Sequence, residues 1–177
     1  MKILIKRINK NIELPKIIAK GDWIDLRAAE NVHLYAPQSD TLKRRTVDGK
    51  QEKYRNVNFD STLISLGIAV SVPKGFECII APRSSTLKKF GIVQGNSVGI
   101  VDHSYSSDKD VWKFLALALR ETYIEEGDRI CQFKVVLSQR ATLLQKIKWL
   151  FSSKIKIVEV DSLPNKNERG GFGSTNK

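Results

Sequence analysis

Asp102 closes the apolar run Val98-Gly99-Ile100-Val101. A carboxylate at the end of such a strand is costly unless it is hydrogen-bonded or put to use, for instance to take a proton from water. A turn-stabilising role is the alternative. Tyr105, a few residues on, offers a flat face, and Gly95-Asn96 just upstream suits a tight hairpin turn. Gly99 would leave backbone exposed for the close approach of a flat ligand.

Three further stretches carry polar chemistry. In Pro82-Arg83-Ser84-Ser85-Thr86-Leu87-Lys88-Lys89-Phe90-Gly91, Ser84 or Ser85 can cap a short helical turn that ends at Gly91. Free N–H groups there, with two hydroxyls and Arg83 beside them, make a phosphate cradle; a structural N-cap explains the same residues. Gly127-Asp128-Arg129-Ile130-Cys131-Gln132 leads from a turn into a strand, with Gln132 as a polar contact. Asp25, in Gly21-Asp22-Trp23-Ile24-Asp25-Leu26-Arg27, is ambiguous on its own. After Leu163 the chain has no Val, Ile or Leu, and Phe172 is the only large apolar residue in Glu168-Arg169-Gly170-Gly171-Phe172-Gly173-Ser174-Thr175. Such a tail buries no core and reads as mobile, with the parts to close over an aromatic phosphate ligand.

These residues need a β scaffold. Short β-rich runs at 3–8, 32–35, 63–72, 76–81, 98–101, 111–119, 130–137 and 155–160 are separated by turn residues such as Pro73-Lys74-Gly75 and Glu126-Gly127-Asp128. The pattern predicts an all-β sandwich or jelly roll. One helix interrupts it: over 141–151, Leu143, Leu144, Ile147, Leu150 and Phe151 recur at helical spacing among Gln145, Lys146 and Lys148. Packing on its own domain is the expected use of that stripe, and a membrane surface the alternative. The polar stretch 38–60, with Lys43-Arg44-Arg45, Lys50, Lys53 and Arg55, reads as a long surface loop; a nucleic-acid patch is the sharper reading.

The 177 residues suit one domain with a core, and the 41% hydrophobic and 28% charged fractions exclude disorder over most of the length. Thirty Lys+Arg against nineteen Asp+Glu, a net charge of +11, favour an anionic partner without choosing among nucleic acid, acidic membrane and phosphorylated small molecule. Cys78 and Cys131 lie in apolar strand-like runs and read as buried free thiols. With His33 and His103 the only histidines, no Cys/His spacing suits zinc. No run is long enough to span a bilayer; the longest purely apolar one, 114–119, is bracketed by Lys113 and Arg120. The N-terminus alternates too soon for a signal peptide, so a cytoplasmic protein without a membrane partner is expected.

Taken in order, the polar stretches resemble the five sequence motifs of the trimeric dUTPase family. Ile24-Asp25-Leu26-Arg27-Ala28 is similar to the first, Pro82-Arg83-Ser84-Ser85 to the second and Gly99-Ile100-Val101-Asp102 through Tyr105 to the third. Gly127 to Gln132 is similar to the fourth and Arg169 to Thr175 to the fifth. The resemblance implies a jelly-roll, β-clip-type homotrimer with one short inserted helix and with sites at subunit interfaces. It divides the chain into a β domain, 1–163, with a basic insertion near 38–60 and a helical one near 141–151, and a flexible tail, 164–177, that closes over a neighbouring subunit's site. It implies hydrolysis of dUTP to dUMP and pyrophosphate, with Asp102 as the base. Tyr105 would pack on deoxyribose, and backbone from Asn96 through Gly99 to Ile100 would read uracil. Arg83, Ser84, Ser85 and Gln132 would hold phosphates; Phe172 would stack on uracil, and Arg169, Ser174 and Thr175 would reach the phosphates. Magnesium would come with the triphosphate and water, with Asp25 in the outer shell and no protein side chain bound directly.

The chain departs from that pattern in two places. The family usually follows the tyrosine with Arg-Gly-Glu, where this chain has Ser106-Ser107-Asp108-Lys109-Asp110; and Arg169 stands closer to Phe172 than usual. dCTP deaminase shares the fold and the Arg-Ser-Ser stretch, but it places a catalytic Glu in the strand that here reads Val111 to Leu119, with no acid. A jelly-roll protein that binds a regulatory partner or nucleic acid through its extra segments is the non-enzymatic alternative.

Overall fold

Alternation of apolar and polar residues writes most of the strands, and the structure, a computed structural model, describes residues 1–18, 21–151 and 154–171. The strands in chain order are β1 (Lys2–Arg7), β2 (Ile24–Arg27), β3 (Val32–Leu34), β4 (Gln38–Ser39), β5 (Lys43–Val47), β6 (Lys50–Tyr54), β7 (Val57–Asn58), β8 (Ser61–Ser71) and β9 (Phe76–Pro82). Helix α1 (Thr86–Phe90) follows, then β10 (Ile92–Gln94), β11 (Gly99–Asp102), β12 (Val111–Ala118), β13 (Thr122–Ile124), β14 (Arg129–Leu137), α2 (Leu143–Phe151) and β15 (Lys156–Glu159). Each strand expected from the sequence is present, its ends displaced by no more than two residues.

Two sheets enclose the core: one of five strands in the order β10-β12-β8-β1-β15, the other of four in the order β11-β9-β14-β2. Ile3, Ile5, Ile64 and Phe114 face Leu26, Cys78, Ile80 and Phe133 from the other sheet, all buried. Trp112 of β12 meets Phe133 of β14 edge-on, ring centroids 5.2 Å apart, across the layer between the sheets. The thiols of Cys78 and Cys131 are buried and unpaired, and burial pushes both pKa values up. They behave as small apolar side chains.

Four expectations change. The stretch 38–60 is not a plain loop: β4 pairs with β7, and β5 with β6 beyond them, as two small antiparallel ladders. Asp48 and Gly49 both have positive φ, 49° and 74°, at the tip between β5 and β6, the conformation that makes Asp-Gly a hairpin signal. The turn at Gly95-Asn96 does not close a hairpin, because β10 pairs with β12 in one sheet and β11 with β9 in the other. It carries the chain between layers, and the positive φ, 61°, falls on Ser97. Third, α2 turns its apolar stripe away from its own domain: Leu143, Leu144, Leu150 and Phe151 are all more than 70% exposed. Trp149 and Gln145 face inward instead, Trp149 against Phe76 at 5.4 Å and Gln145 Nε2 donating to the Lys74 carbonyl at 2.6 Å. Fourth, Ser85 occupies the N-cap position of α1, but its hydroxyl makes no capping bond, while Gly91 ends the helix in the left-handed conformation as expected.

Gly67 sits inside β8 where its pairing with β12 slips, five residues of β8 (Ser65 to Ala69) running against three of β12 (Val111 to Lys113). Its φ is +63°, a Cβ there would lie 2.6 Å from the Cβ of Ala29, and its carbonyl accepts from the amides of Ile8 at 2.8 Å and Asn9 at 3.2 Å. Gly67→Ala is therefore expected to cost about 1–3 kcal/mol, read as a lower midpoint of thermal unfolding; an unchanged midpoint would show that the bulge relaxes without strain.

Candidate active site

Asp102, the last residue of β11, is held on both carboxylate oxygens. Ser104 donates to Oδ1 twice, from its amide at 2.8 Å and its hydroxyl at 2.6 Å, and Arg169 Nη1 donates to Oδ2 at 2.6 Å. The amide bond spans two residues and is an Asx turn, so the Asp-x-Ser spacing was a usable sign of Ser104 that motif reading passed over. Partial burial works to raise the Asp102 pKa; the Ser104 hydroxyl and amide and the charge of Arg169 outweigh it and bring it below the ordinary carboxylate value. The group is ionised at neutral pH and still partly open to solvent. Tyr105 is half-buried against the core, donates its hydroxyl to the Val111 carbonyl at 3.1 Å and has Gly171 lying close over its ring edge.

The turn that departs from the family pattern is where the C-terminal segment fastens. β15 runs parallel to β1, and Glu159 at its end takes bonds from Arg7 and Lys10, which hold its pKa down at about 2. Leu163 is then fully buried, and its amide donates to Asp108 Oδ1 at 2.7 Å. That bond, followed by those from Lys6 and Ser162, brings the Asp108 pKa down to about 2 against a smaller opposing effect of burial. Asn165 bridges to Ser107, and the Arg169 amide donates to the buried Asp110 at 3.3 Å, whose other oxygen accepts the Ser107 amide at 2.8 Å. Two acids thus replace the family's Arg-Gly-Glu and hold residues 162–169 on their own chain, with the Arg169 side chain led to Asp102.

A second polar group lies at the far end of β9. Asp25 Oδ1 accepts from Arg83 Nε at 2.7 Å and its Oδ2 from Arg129 Nη1 at 3.1 Å. Gln132 donates to the Pro82 carbonyl at 3.2 Å. Thr86, fully buried, donates its hydroxyl to the Ile130 carbonyl at 2.8 Å and accepts the Arg83 amide at 3.0 Å, so it fixes the bend that leaves Ser84 and Ser85 exposed. Arg129 and Thr86 belong to this group, although residue type alone did not mark them.

The two groups are not brought together within one chain. Asp102 is registered opposite Glu77, whereas Cys131 beside the cradle is opposite Pro82. Five residues of strand at about 3.3 Å each put the two ends roughly 17 Å apart. Between them, β11 is the outer strand of its sheet, with Ile100 exposed on it and Asn96 exposed in the turn before it. The space a side chain would need at Gly99 is filled by Gln94 Nε2, 3.1 Å away, and Ile80. Phe172, Ser174 and Thr175 lie outside the described residues. Among the described residues no group of three or more ligating side chains could hold a metal ion, and Asp25 spends its two oxygens on arginines.

This fold and these motif residues match one enzyme class in comparison with known proteins. The dUTPase family profile matches residues 50–175, and the chain belongs to that family. It is 38% identical to the SPbeta prophage-derived deoxyuridine 5'-triphosphate nucleotidohydrolase YosS of Bacillus subtilis, over 99% of this chain and 98% of that one. A deoxyuridine 5'-triphosphate nucleotidohydrolase of Hydrogenobaculum is 30% identical over 99% and 98%. The fold is similar to that of dUTPase from Streptococcus mutans, with a TM-score of 0.58 at 20% identity over 78% of this chain and 98% of that one. A mutant dUTPase of Staphylococcus aureus phage phi11, studied for its coordination of a structural Mg(II) ion, gives 0.57 at 16% over 80% and 94%.

Asp110→Ala removes the acceptor for the Ser107 and Arg169 amides and should cost about 1–3 kcal/mol at the turn. The expected result is faster tryptic cleavage after Lys166 and Arg169 while the rest of the chain resists. Cleavage at the wild-type rate would show that Asp110 does not hold the segment.

Proposed function

We propose that the chain is a dUTP diphosphatase acting as a homotrimer, with each site assembled from more than one subunit. The observation that carries this is the register of β9: a family base and a family phosphate cradle stand roughly 17 Å apart on one sheet. A nucleotide's α-phosphate cannot touch both within one chain, so a second copy supplies the missing half. The tail, through Phe172, Ser174 and Thr175, completes the site over a neighbouring subunit.

Asp102 takes a proton from water as the oxygen attacks the α-phosphorus in line, and the bond to the bridging oxygen breaks, giving dUMP and pyrophosphate. The low pKa from Ser104 and Arg169 keeps the base ionised, and Ser104 fixes the direction of its free lone pairs. Arg169 sits on this carboxylate and is drawn to phosphate charge when substrate enters. Tyr105 packs on deoxyribose and leaves no room for a 2′-hydroxyl. β11, an outer strand, offers its unpaired backbone groups near Gly99 and Ile100 to the uracil edge as a pairing base would. Arg83, Ser84, Ser85 and Gln132 hold phosphates.

Magnesium, bound with the triphosphate, would offset its charge, and Asp25, already bonded to two arginines, would meet it only through water. The unpaired thiols suit a reducing compartment, and we place the enzyme in the cytoplasm. Among the described residues no helix is long and apolar enough to cross a membrane. Deamination is not favoured, since β12 carries no acid for it.

Incubation with dUTP, dCTP, dTTP or UTP plus magnesium should release pyrophosphate from dUTP alone; deoxyuridine triphosphate made from dCTP would establish a deaminase instead. Asp102→Asn should lower kcat by about 10²–10⁴-fold with KM little changed, and wild-type turnover in that variant would remove Asp102 from the chemistry. A base with a depressed pKa stays active as pH falls through the ordinary carboxylate range and fails only below it. Arg169→Gln takes away one of the depressing contacts, so the acid limb of kcat/KM should move to higher pH. A limb that does not move would separate Arg169 from the base.

A further inference from the structure

The hairpin of β5 and β6 forms a sheet of its own, and nearly all its residues are exposed. Opposed residues of such a ladder share a face. On one face two of the three cations are matched: Lys43 meets Asp40 at 2.5 Å and Arg45 meets Glu52 at 3.0 Å, with the Arg45 guanidinium 5.3 Å from the centre of the Tyr54 ring, while Lys50 stands opposite Val47. On the other face Arg44 stands directly opposite Lys53, and Thr46 opposite Gln51, with no acid between them. Arg55, exposed, follows just past the end of β6. Among the described residues no ion pair reaches Arg44, Lys53 or Arg55.

Like charges directly across a ladder are destabilising, and a two-stranded hairpin has little stability to spare. A cationic face left unneutralised beside a mostly neutralised one is a local conflict of the kind found at functional sites. The family match begins at residue 50, so the outgoing strand with Arg44 falls outside it. At the base of the excursion, beyond the β4–β7 ladder, lies a cluster of partly exposed rings. His33 stacks on Tyr123 at 4.1 Å with planes 4° apart, Tyr35 lies 4.4 Å away, and Tyr35 shares a cleft with Phe59. Tyr123 is 66% exposed. Cations without partners that follow a strand, and aromatic faces at the base of the same excursion, are the parts of a single-strand platform, one set for phosphates and the other for bases.

We infer that the free face of this hairpin and the aromatic cluster at the base of the excursion form a binding site for single-stranded nucleic acid, separate from the nucleotide site. Three phosphates neutralised by Arg44, Lys53 and Arg55 predict that log K falls with log salt at a slope of about −2.

The test is fluorescence anisotropy of the full-length protein with a labelled 20-nucleotide single strand, its duplex form and a salt series. Wild type should bind the single strand more tightly than the duplex, with that slope. Arg44→Gln with Lys53→Gln should weaken binding at least tenfold at about 100 mM salt and flatten the slope to about −0.7. The same protein should melt no lower than wild type, because a repulsion has been removed, and should hydrolyse dUTP normally. Tyr123→Ala should weaken binding at least fivefold with the slope unchanged, as loss of stacking does. Lys146→Gln with Lys148→Gln, which removes the same charge from α2, should leave binding within twofold. Any of three results would overturn the inference: equal or tighter binding of duplex, wild-type binding by the hairpin variant, or an equal loss in the α2 variant, which would reduce the effect to net charge.

Discussion

The placement of β9 between β11 and β14 governs the rest of the site. One edge of β9 registers Asp102 against Glu77, and the other registers Cys131 and Gln132 against Pro82 and Ala81. Its seven residues therefore act as a spacer between Asp102 and the bend at Ser84-Ser85. Strand rise is stiff, so this distance cannot be closed by local adjustment. The core fixes the same spacing, because Phe76, Cys78 and Ile80 alternate into the layer between the sheets and a slip of one residue would turn them out. The proposed assembly of the site from more than one copy follows from this ordinary sheet geometry.

Around that spacer, acids do the joining. Asp25 gathers Arg83 and Arg129 from two strands; Asp102 takes Ser104 and Arg169; Asp108 and Asp110 hold the C-terminal segment. Each carboxylate accepts from a backbone amide or from a cation brought in by a distant part of the chain. Such bonds to charged groups are the stronger kind. They suit a segment that has no apolar side chains to bury after Leu163. The Ser-Ser-Asp-Lys-Asp turn is a different solution to the same problem of holding the strand after the base.

The strands were readable because alternation and turn residues record a half-buried sheet directly, and Phe76 to Pro82 shows this residue by residue. Asp25, Arg83, Asp102 and Tyr105 were readable through motif order, not through their own surroundings. Asp110 and Thr86 were not, because an acid in a polar turn and a threonine before a helix gain their meaning only from partners far along the chain, Arg169 and Ile130. The Gly95-Asn96 turn looked like a hairpin since turn chemistry is local, while the choice of sheet for each flanking strand is tertiary. Over 38–60 the Asp48-Gly49 signal was present but hidden by the density of charge around it.

The net charge of +11 pointed to an anionic partner without saying where. In the folded chain Asp25 and Asp102 at the candidate site and Asp108 and Glu159 at the C-terminal fastening each face one or more cations. Positive charge left over must then collect elsewhere. It does so on two segments outside the core sheets' centre: the hairpin, with Arg44 and Lys53 face to face, and the stretch from Ser138 to Val158, which has no acid at all. These same segments break the rules that the core obeys, one by opposing like charges and the other by turning leucines outward. A sheet interior tolerates neither, so the departures stay where substitution costs the fold least and exposure to another molecule is greatest. Both departures thus lie on exposed segments, the hairpin in a sheet of its own and the leucines on helix α2.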